Sequence, residues 1–440
     1  MKHLVSCVGG VVLVQWVFGP DWVHAFVSSS VTYLLCLIAP RKYCAQIVFL
    51  WVMGYMTAAH LYRMWVSYLT GVFDFTGTQM VLTMKLTSFA YNLYDGTYDK
   101  KNVFGTHQDK SLAKIYASRK KFAIEKLPNL LEYFGYVFCF TCILAGPAFE
   151  YTDYISSIDG SVFQDKGKKD QKSSTPSSLF PSLLKFSIGV IFLIGYIVGT
   201  GHFPMASIYD PSFISSSSFL YRCGFLILAL AGVRCKFYFV WMMAEGASNL
   251  AGFGFEGYDK EGRIVGWEGV KNIDIIGFET APCIQHLSRA WNKRTQGWLE
   301  RYTYMRTGRS LNTTYFVSAL WHGLYPGFFI FFMTIPLYTT FERLVRAKLT
   351  PRLAPGYDGY NYATYPKTPV ALGYWFICWL CNTLVINYTV QVSWVFVHIY
   401  IFSYTIITTV YFSSITKFKL IFFCFIYYYS HFIMVAWKGA

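Results

Sequence analysis

Two residues of this chain pair a side chain suited to proton transfer or charge stabilisation with an apolar setting. His322 is the only group titrating near neutral pH in YFVSALWHGLYPGFFIFFMTIPLY, residues 315–338. An ionisable residue at membrane depth is costly to keep and is a functional candidate by default. Its ordinary pKa of about 6.5 leaves the neutral imidazole dominant at cellular pH. Such a group can take the proton of an alcohol as that alcohol attacks an activated acyl group. No Ser or Cys near His322 stands in a nucleophile-elbow motif, so a covalent acyl-enzyme is not indicated. Direct attack needs a second group to hold the substrate or stabilise an oxyanion, and an amide such as Asn292 suits either task. The other reading of His322 is a core histidine hydrogen-bonded to a backbone carbonyl. The residues alone leave both open.

The elements that carry these two groups differ. Gly323, Pro326 and Gly327 follow His322 at once, so its helix is expected to break there. Broken helices at membrane depth are tolerated where they line a cavity or are buried in protein. Asn292 falls in 284–305, where Ile284, Leu287, Trp291, Trp298, Tyr302 and Met305 share one face at helical spacing. One amphipathic helix is expected, with Asn292 at the edge of the apolar stripe, within about 20° of Leu299. An ordinary interfacial helix explains that pattern equally. Lys85, Asn92, Glu245 and Asn249 are further polar residues in apolar runs. Glu245 is expected to pair with a basic neighbour such as Arg234, to lie near a membrane face or to line a substrate path. His60, His202, His398 and His431 stand isolated among aromatics or near loop ends and read as structural.

The setting is a membrane. The 440 residues are 54% hydrophobic and 20% aromatic but only 14% charged. A soluble domain carries about a quarter charged residues. Apolar runs lie at 4–18, 22–38, 44–66, 79–94, 130–149, 181–201, 218–233, 237–253, 315–340, 370–412 (length for two passes) and 418–437. At roughly 20 residues per span these predict about nine to eleven passes, some re-entrant or interfacial. Met1-Lys2-His3 before an apolar run resembles a signal peptide, but a second run follows Pro20-Asp21 without a clear small-residue cleavage site. A retained first hairpin is expected. The net charge of +15 sits in loops such as 100–126, 166–172 and 343–352, as the positive-inside rule requires. Basic loops suit anionic lipid surfaces and a phosphate-bearing co-substrate. No nucleic-acid recognition module is visible. Basic residues flank both ends of 130–149 and of 315–340, so one of the two is expected to be re-entrant.

Eleven cysteines, an odd number, lie mostly inside apolar runs. The pairs 139/142 and 378/381 have Cys-x-x-Cys spacing but no second pair or His at ligand distance. They read as buried thiols, with no metal and no disulfide framework. Residues 159–178 form a polar, low-complexity loop, whereas 256–314 is too hydrophobic for a linker and is expected to fold on the membrane face. No internal repeat is visible, which weakens a transporter reading.

Six blocks carry a family resemblance: QMVLTMKLTSFAYNLYDG at 79–96, LPNLLEYFGYVFCFTCILAGPAFEY at 127–151, KFYFVWMMAEGASNLAGFGFEGYD at 236–259, NIDIIGFETA at 272–281, WNKRTQGWLERYTYMR at 291–306 and SALWHGLYPGFF at 318–329. In this order the chain resembles the membrane-bound O-acyltransferases, in their lysophospholipid branch. The resemblance implies an all-α polytopic membrane protein, with helices packed around an internal chamber. It implies His322 as the essential base and Asn292 as its partner, with Trp291, Trp321, Ser318, Glu245 and Tyr238 expected along the substrate path. It implies acyl-CoA as co-substrate, a lysophospholipid as acceptor, no bound cofactor and residence in the endoplasmic reticulum. The expected organisation is an N-terminal hairpin and span in 1–70, the catalytic core in 71–350 and C-terminal spans in 351–440. The C-terminal Ala436–Ala440 lacks the family's common dilysine tail, which touches retention and not chemistry. Another branch acting on a sterol, a diacylglycerol or a protein, and a transporter lined by the same residues, are the competing readings.

Overall fold

The computed structural model describes residues 1–67, 74–164, 176–357 and 365–402, with side chains through residue 390. The helices, in order, are α1 (Lys2–Phe18), α2 (Trp22–Ile38), α3 (Cys44–Val66), α4 (Thr76–Thr97), α5 (Lys100–Phe104), α6 (Lys110–Phe122), α7 (Leu130–Val137), α8 (Tyr151–Asp159) and α9 (Leu179–His202). They continue as α10 (Pro211–Ser216), α11 (Phe219–Leu250), α12 (Ile275–Glu279), α13 (Ile284–Ala290), α14 (Lys293–Tyr302), α15 (Leu311–His322), α16 (Pro326–Leu353) and α17 (Pro369–Phe402). Among the described residues the chain is all-helical apart from one antiparallel bridge, Tyr258 to Ile264.

The central element is α4. Its 22 residues include few large apolar side chains outside Val81–Leu93, yet nearly all of them are buried. The hydroxyls of Thr83, Thr87 and Ser88 donate to carbonyls four residues earlier. Short polar groups satisfied within their own helix leave a slim rod that neighbours can approach closely. Buried Lys85 caps the end of α7, donating to the Tyr136 and Val137 carbonyls, with its ammonium 4.4 Å from the Tyr136 ring centre. On its other side α7 meets both N-terminal helices. Ser6 donates to the Gly135 carbonyl at 2.8 Å, and Tyr133 donates to the Ser29 carbonyl at 2.9 Å.

Six helical stretches are long and apolar enough to cross a membrane, among the described residues: Lys2–Ile38, Cys44–Val66, Leu179–Tyr209, Phe219–Leu250, Pro326–Leu353 and Pro369–Val390. Several expected spans are thereby redrawn. Runs 218–233 and 237–253 merge into the single helix α11, because Arg234-Cys235-Lys236 contains no helix breaker. Arg234 is instead neutralised by Glu279 at 2.8 Å. The run 130–149 gives only the eight-residue α7 followed by tight turns, too short to span. The helix expected at 79–94 forms as α4, but its cover is protein. Runs 4–18 and 22–38 form two 17-residue helices joined by the 3-10 turn Gly19–Asp21. In 370–412 one helix runs unbroken to Phe402, and 403–412 lies outside the described residues. So do the span expected at 418–437 and most of the polar loop at 159–178.

The pair α9 and α11 crosses at glycine. A Cβ added to Gly199 would sit 3.0 Å from Gly232 Cα, and one on Gly232 would sit 3.1 Å from the Gly199 carbonyl carbon. Small residues at a membrane helix crossing let the backbones touch. Gly232→Leu should therefore separate the pair and cost about 1–3 kcal/mol by overpacking. Gly224→Leu, on the same helix with nothing within 4 Å, should cost little. Equal thermal unfolding of the two variants in detergent would contradict this packing.

Candidate active site

His322 is the last residue of α15, whose first turn is capped by the Ser310 hydroxyl accepting from Thr313 N–H at 3.2 Å. The helix stops because Gly323 has φ +130, a backbone conformation open to glycine and strained for other residues. Pro326 then opens α16 at its first position, where a missing N–H costs nothing. The break expected from Gly-x-x-Pro is thus where the histidine sits.

The imidazole is held on every side. Its Nδ1 lies 2.8 Å from the Ser318 carbonyl oxygen. A carbonyl only accepts, so Nδ1 carries the hydrogen and Nε2 keeps the lone pair in the neutral ring. Trp321 meets the ring edge-on at 4.6 Å, Phe332 lies at 4.5 Å and Phe328 at 5.7 Å between centroids. Trp321 is itself fixed by donating its indole N–H to the Met80 carbonyl at 2.9 Å. The bond to a backbone carbonyl expected of a core histidine is therefore present, and it leaves the lone pair of Nε2 outside that bond.

Asn292 is not on the face of a continuous helix. The amphipathic stretch expected at 284–305 is broken into α13 and α14, and Asn292 lies in the break with φ +40 and ψ +56. Left-handed backbone at a non-glycine residue is uncommon, and asparagine tolerates it best. The break is held from outside. Lys293 N–H donates to the Asn272 carbonyl at 2.7 Å, Arg294 N–H to Asn272 Oδ1 at 3.3 Å, and Asp274 N–H to the Ala290 carbonyl at 2.9 Å. These partners take the place of the intrahelical bonds that would have joined the two segments. Among the described residues the Asn292 amide makes no hydrogen bond. Burial pushes the neighbouring Lys293 and Arg294 down from their ordinary pKa values.

The other candidates divide. Trp321 and Ser318 touch His322 directly. Trp291 flanks Asn292 and sits among Trp241 at 4.9 Å, Phe278 at 4.7 Å and Tyr238 at 6.0 Å. Tyr238 donates its hydroxyl to Glu279 at 2.6 Å, beside the Arg234 pair. Glu245 takes Lys185 as its ion partner at 2.8 Å, not Arg234. It also accepts from the backbone N–H groups of Asn272 and Ile273. Through Asn272 this buried carboxylate fixes the segment that holds the start of α14.

How the two principal residues stand to each other follows from register. Thr295 Oγ1 meets Met84 Sδ, Trp298 Nε1 donates to Thr87 Oγ1, and Arg306 pairs with Asp95; each pair is 211 positions apart. So α14 and the turn after it run parallel to α4 at a constant offset, which puts Asn292 at the height of Val81. Trp321, next to His322, is bonded at Met80. The break that holds Asn292 and the end of α15 that holds His322 are thus both anchored on α4, the first through the α14 register and the second through Trp321. The two helices also touch, with Trp298 and Trp321 6.1 Å apart between centroids. No hydrogen bond joins Asn292 to His322 among the described residues.

The far end of this register is fixed around Glu150 and Asp95, which reading the sequence did not single out. Buried Glu150 accepts from Asn92 at 2.9 Å and Arg301 at 2.8 Å, with the Tyr302 hydroxyl 2.9 Å away. Fully buried Asp95 accepts from both terminal nitrogens of Arg306, at 3.1 and 2.6 Å, and also pairs with Arg119 of α6. Their one signal in the sequence is their place inside the family-like blocks AYNLYDG, GPAFEY and ERYTYMR.

The model of the membrane-bound O-acyltransferase family matches residues 60–391. The chain is 31% identical over 399 residues to membrane-bound glycerophospholipid O-acyltransferase 2 of Gallus gallus, covering 89% of this chain and 73% of that one. It is 33% identical over 328 residues to the lysophospholipid acyltransferase of Schizosaccharomyces pombe, covering 73% of this chain and 61% of the relative. It is 32% identical over 344 residues to the lysophospholipid acyltransferase of Saccharomyces cerevisiae, covering 74% and 54%.

Proposed function

The chain belongs to the membrane-bound O-acyltransferase family, and from that premise we propose that this multi-pass acyltransferase moves a fatty acyl chain from acyl-CoA to the free hydroxyl of a lysophospholipid. The acceptor class follows the relatives, which are glycerophospholipid and lysophospholipid acyltransferases. The observation that carries the site assignment is the state of His322. Its Nδ1–H is committed to Ser318, so Nε2 is the basic atom.

His322 Nε2 takes the hydroxyl proton as the lysolipid oxygen attacks the thioester carbon. The carbon–sulfur bond breaks, the ester forms, and the imidazolium returns its proton to the leaving thiolate. Asn292, an unengaged amide, donates to the oxygen that becomes negative in the tetrahedral intermediate. The thioester supplies the driving force, and no step calls for a bound cofactor. Lys293 and Arg294, which follow Asn292 in the chain, are cations of the kind a substrate phosphate would pair with. Trp291, Trp321 and Ser318 line the approach in this reading, while Glu245 and Tyr238 hold the elements behind it. The family reading brings with it an internal chamber, more passes than the six stretches above, and the endoplasmic reticulum membrane as the site of action.

The test is transfer from radiolabelled oleoyl-CoA, on membranes containing the protein, to a panel of lysophospholipids with choline, ethanolamine, serine and inositol head groups. At least one lysolipid should be converted to the diacyl product. A panel without product overturns this function, and a sterol or diacylglycerol accepted in their place moves the protein to another branch.

A further inference from the structure

A second histidine lies against the active-site break. His60, near the end of α3, is only 4% exposed. Its Nε2 is 3.1 Å from the carbonyl oxygen of Trp321. On the other side of His322 in the chain, a Cβ built on Gly323 would lie 3.4 Å from His60 Nδ1 and 3.6 Å from its Cε1. One imidazole from a separate helix thus bonds the residue before His322 and stands about a methyl group's width from the residue after it. Nothing in the acyl transfer described above uses it.

The reason for such a contact lies in how α15 ends. The last carbonyls of a helix have no intrahelical donor. Gly323 N–H satisfies Ala319, and the Trp321 carbonyl is left to an outside group. That carbonyl belongs to the peptide plane immediately preceding His322. Swinging the plane swings the imidazole away from Ser318 and out of its aromatic surround. The Ser318 bond fixes the tautomer of His322, but it lies within the same helix and moves with it. Two contacts from other elements tie the end of α15 to the bundle, the Trp321 indole on the Met80 carbonyl and His60 on the Trp321 carbonyl, and only the second holds the peptide plane itself. Since a carbonyl can only accept, His60 Nε2 carries the hydrogen.

We propose that His60 is a positioning residue, whose Nε2–H on the Trp321 carbonyl sets the orientation of His322 for catalysis. The proposal rests on His322 being the base. A misplacement of about 1 Å at a reacting group can cost about a hundredfold in rate. Glutamine places its amide nitrogen where the imidazole has Nε2, so His60→Gln keeps the donor. Asparagine places its nitrogen nearer the Nδ1 position, so His60→Asn stays polar but loses the bond.

The experiment compares wild type, His60→Gln, His60→Asn and His60→Ala in detergent-purified form, with His322→Ala as the blank. His60→Ala and His60→Asn should lower kcat by about 10- to 100-fold with KM for both substrates within about twofold. His60→Gln should stay within about threefold of wild type. A second readout needs no turnover, namely the rate at which diethyl pyrocarbonate modifies His322, mapped by peptide mass spectrometry. It should change at least threefold in the Asn and Ala variants and stay at the wild-type rate in Gln. Wild-type kcat and labelling in His60→Asn, or equal loss in Gln and Asn, overturns the proposal. If Ala does not fold, the Gln and Asn pair decides. A wild type that acylates nothing sinks the proposed function, and the labelling contrast still decides the role of His60.

Discussion

His322→Asn should lower kcat by about 10²- to 10⁴-fold, the usual worth of a positioned general base. Asparagine is the sharper choice than alanine. Its amide nitrogen falls near the Nδ1 position and can still donate to the Ser318 carbonyl, so the end of α15 keeps its internal bond. What disappears is the lone pair at Nε2. The KM values should hold, because the substrates' binding surfaces are untouched. Alanine would give a similar rate loss, together with a hole between Trp321 and Phe332 and a lower unfolding temperature. The check is steady-state kinetics with purified protein alongside thermal unfolding. Full activity in both variants would remove His322 from the chemistry while leaving the family assignment standing.

The second large effect is expected at Asn292, where backbone and side chain can be separated. Asn292→Gly accepts the left-handed conformation without strain and deletes the amide. Its fold should match or exceed the wild type in stability, and its kcat should fall by about 10²- to 10³-fold if the amide stabilises developing charge. Asn292→Asp retains shape but offers a carboxylate, which accepts and cannot donate, so it should lose as much or more. Asn292→Ala combines the lost amide with roughly 1–2 kcal/mol of backbone strain. A glycine variant within threefold of wild-type kcat would reduce Asn292 to a hinge.

The two breaks that carry these residues were unequally visible in the sequence. The one at His322 is spelled out locally, since Gly-x-x-Pro ends one helix and starts the next within four residues. The one at Asn292 is hidden. Ile284, Leu287 and Trp291 on one side and Trp298, Tyr302 and Met305 on the other keep helical phase across it, so periodicity reads one helix. What breaks it is Asn272, about twenty residues upstream, and Glu245 behind Asn272, and neither leaves a local trace. Lys85 and Asn92 stood out as polar residues in an apolar run, but their partners at Tyr136, Val137 and Glu150 come from elsewhere in the bundle. His60 reads as structural in the sequence, and the carbonyl it meets lies 261 positions away. Hydropathy located the apolar runs and could not tell burial by lipid from burial by protein. For that reason the protein cover of α4 could not be read from its hydropathy.

The constant offset between α4 and α14 also bears on how such a chain can vary in length. Both partners of the register are short rigid rods, and the residues from Tyr98 to Trp291 leave one and return to the other. Residues can be gained or lost in the loops of that long excursion, while the side-chain pairs along α4 still dictate where Asn292 stands opposite Trp321. A single insertion within Val81–Asp95, or within Asn292–Tyr302, is another matter. It advances one rod by about 1.5 Å and turns it by about 100°, so the pairs on one side of it fall out of step with those on the other. The chain therefore divides into stretches that can absorb insertions and deletions and two that cannot, and the boundary between them is drawn by α4 acting as a ruler.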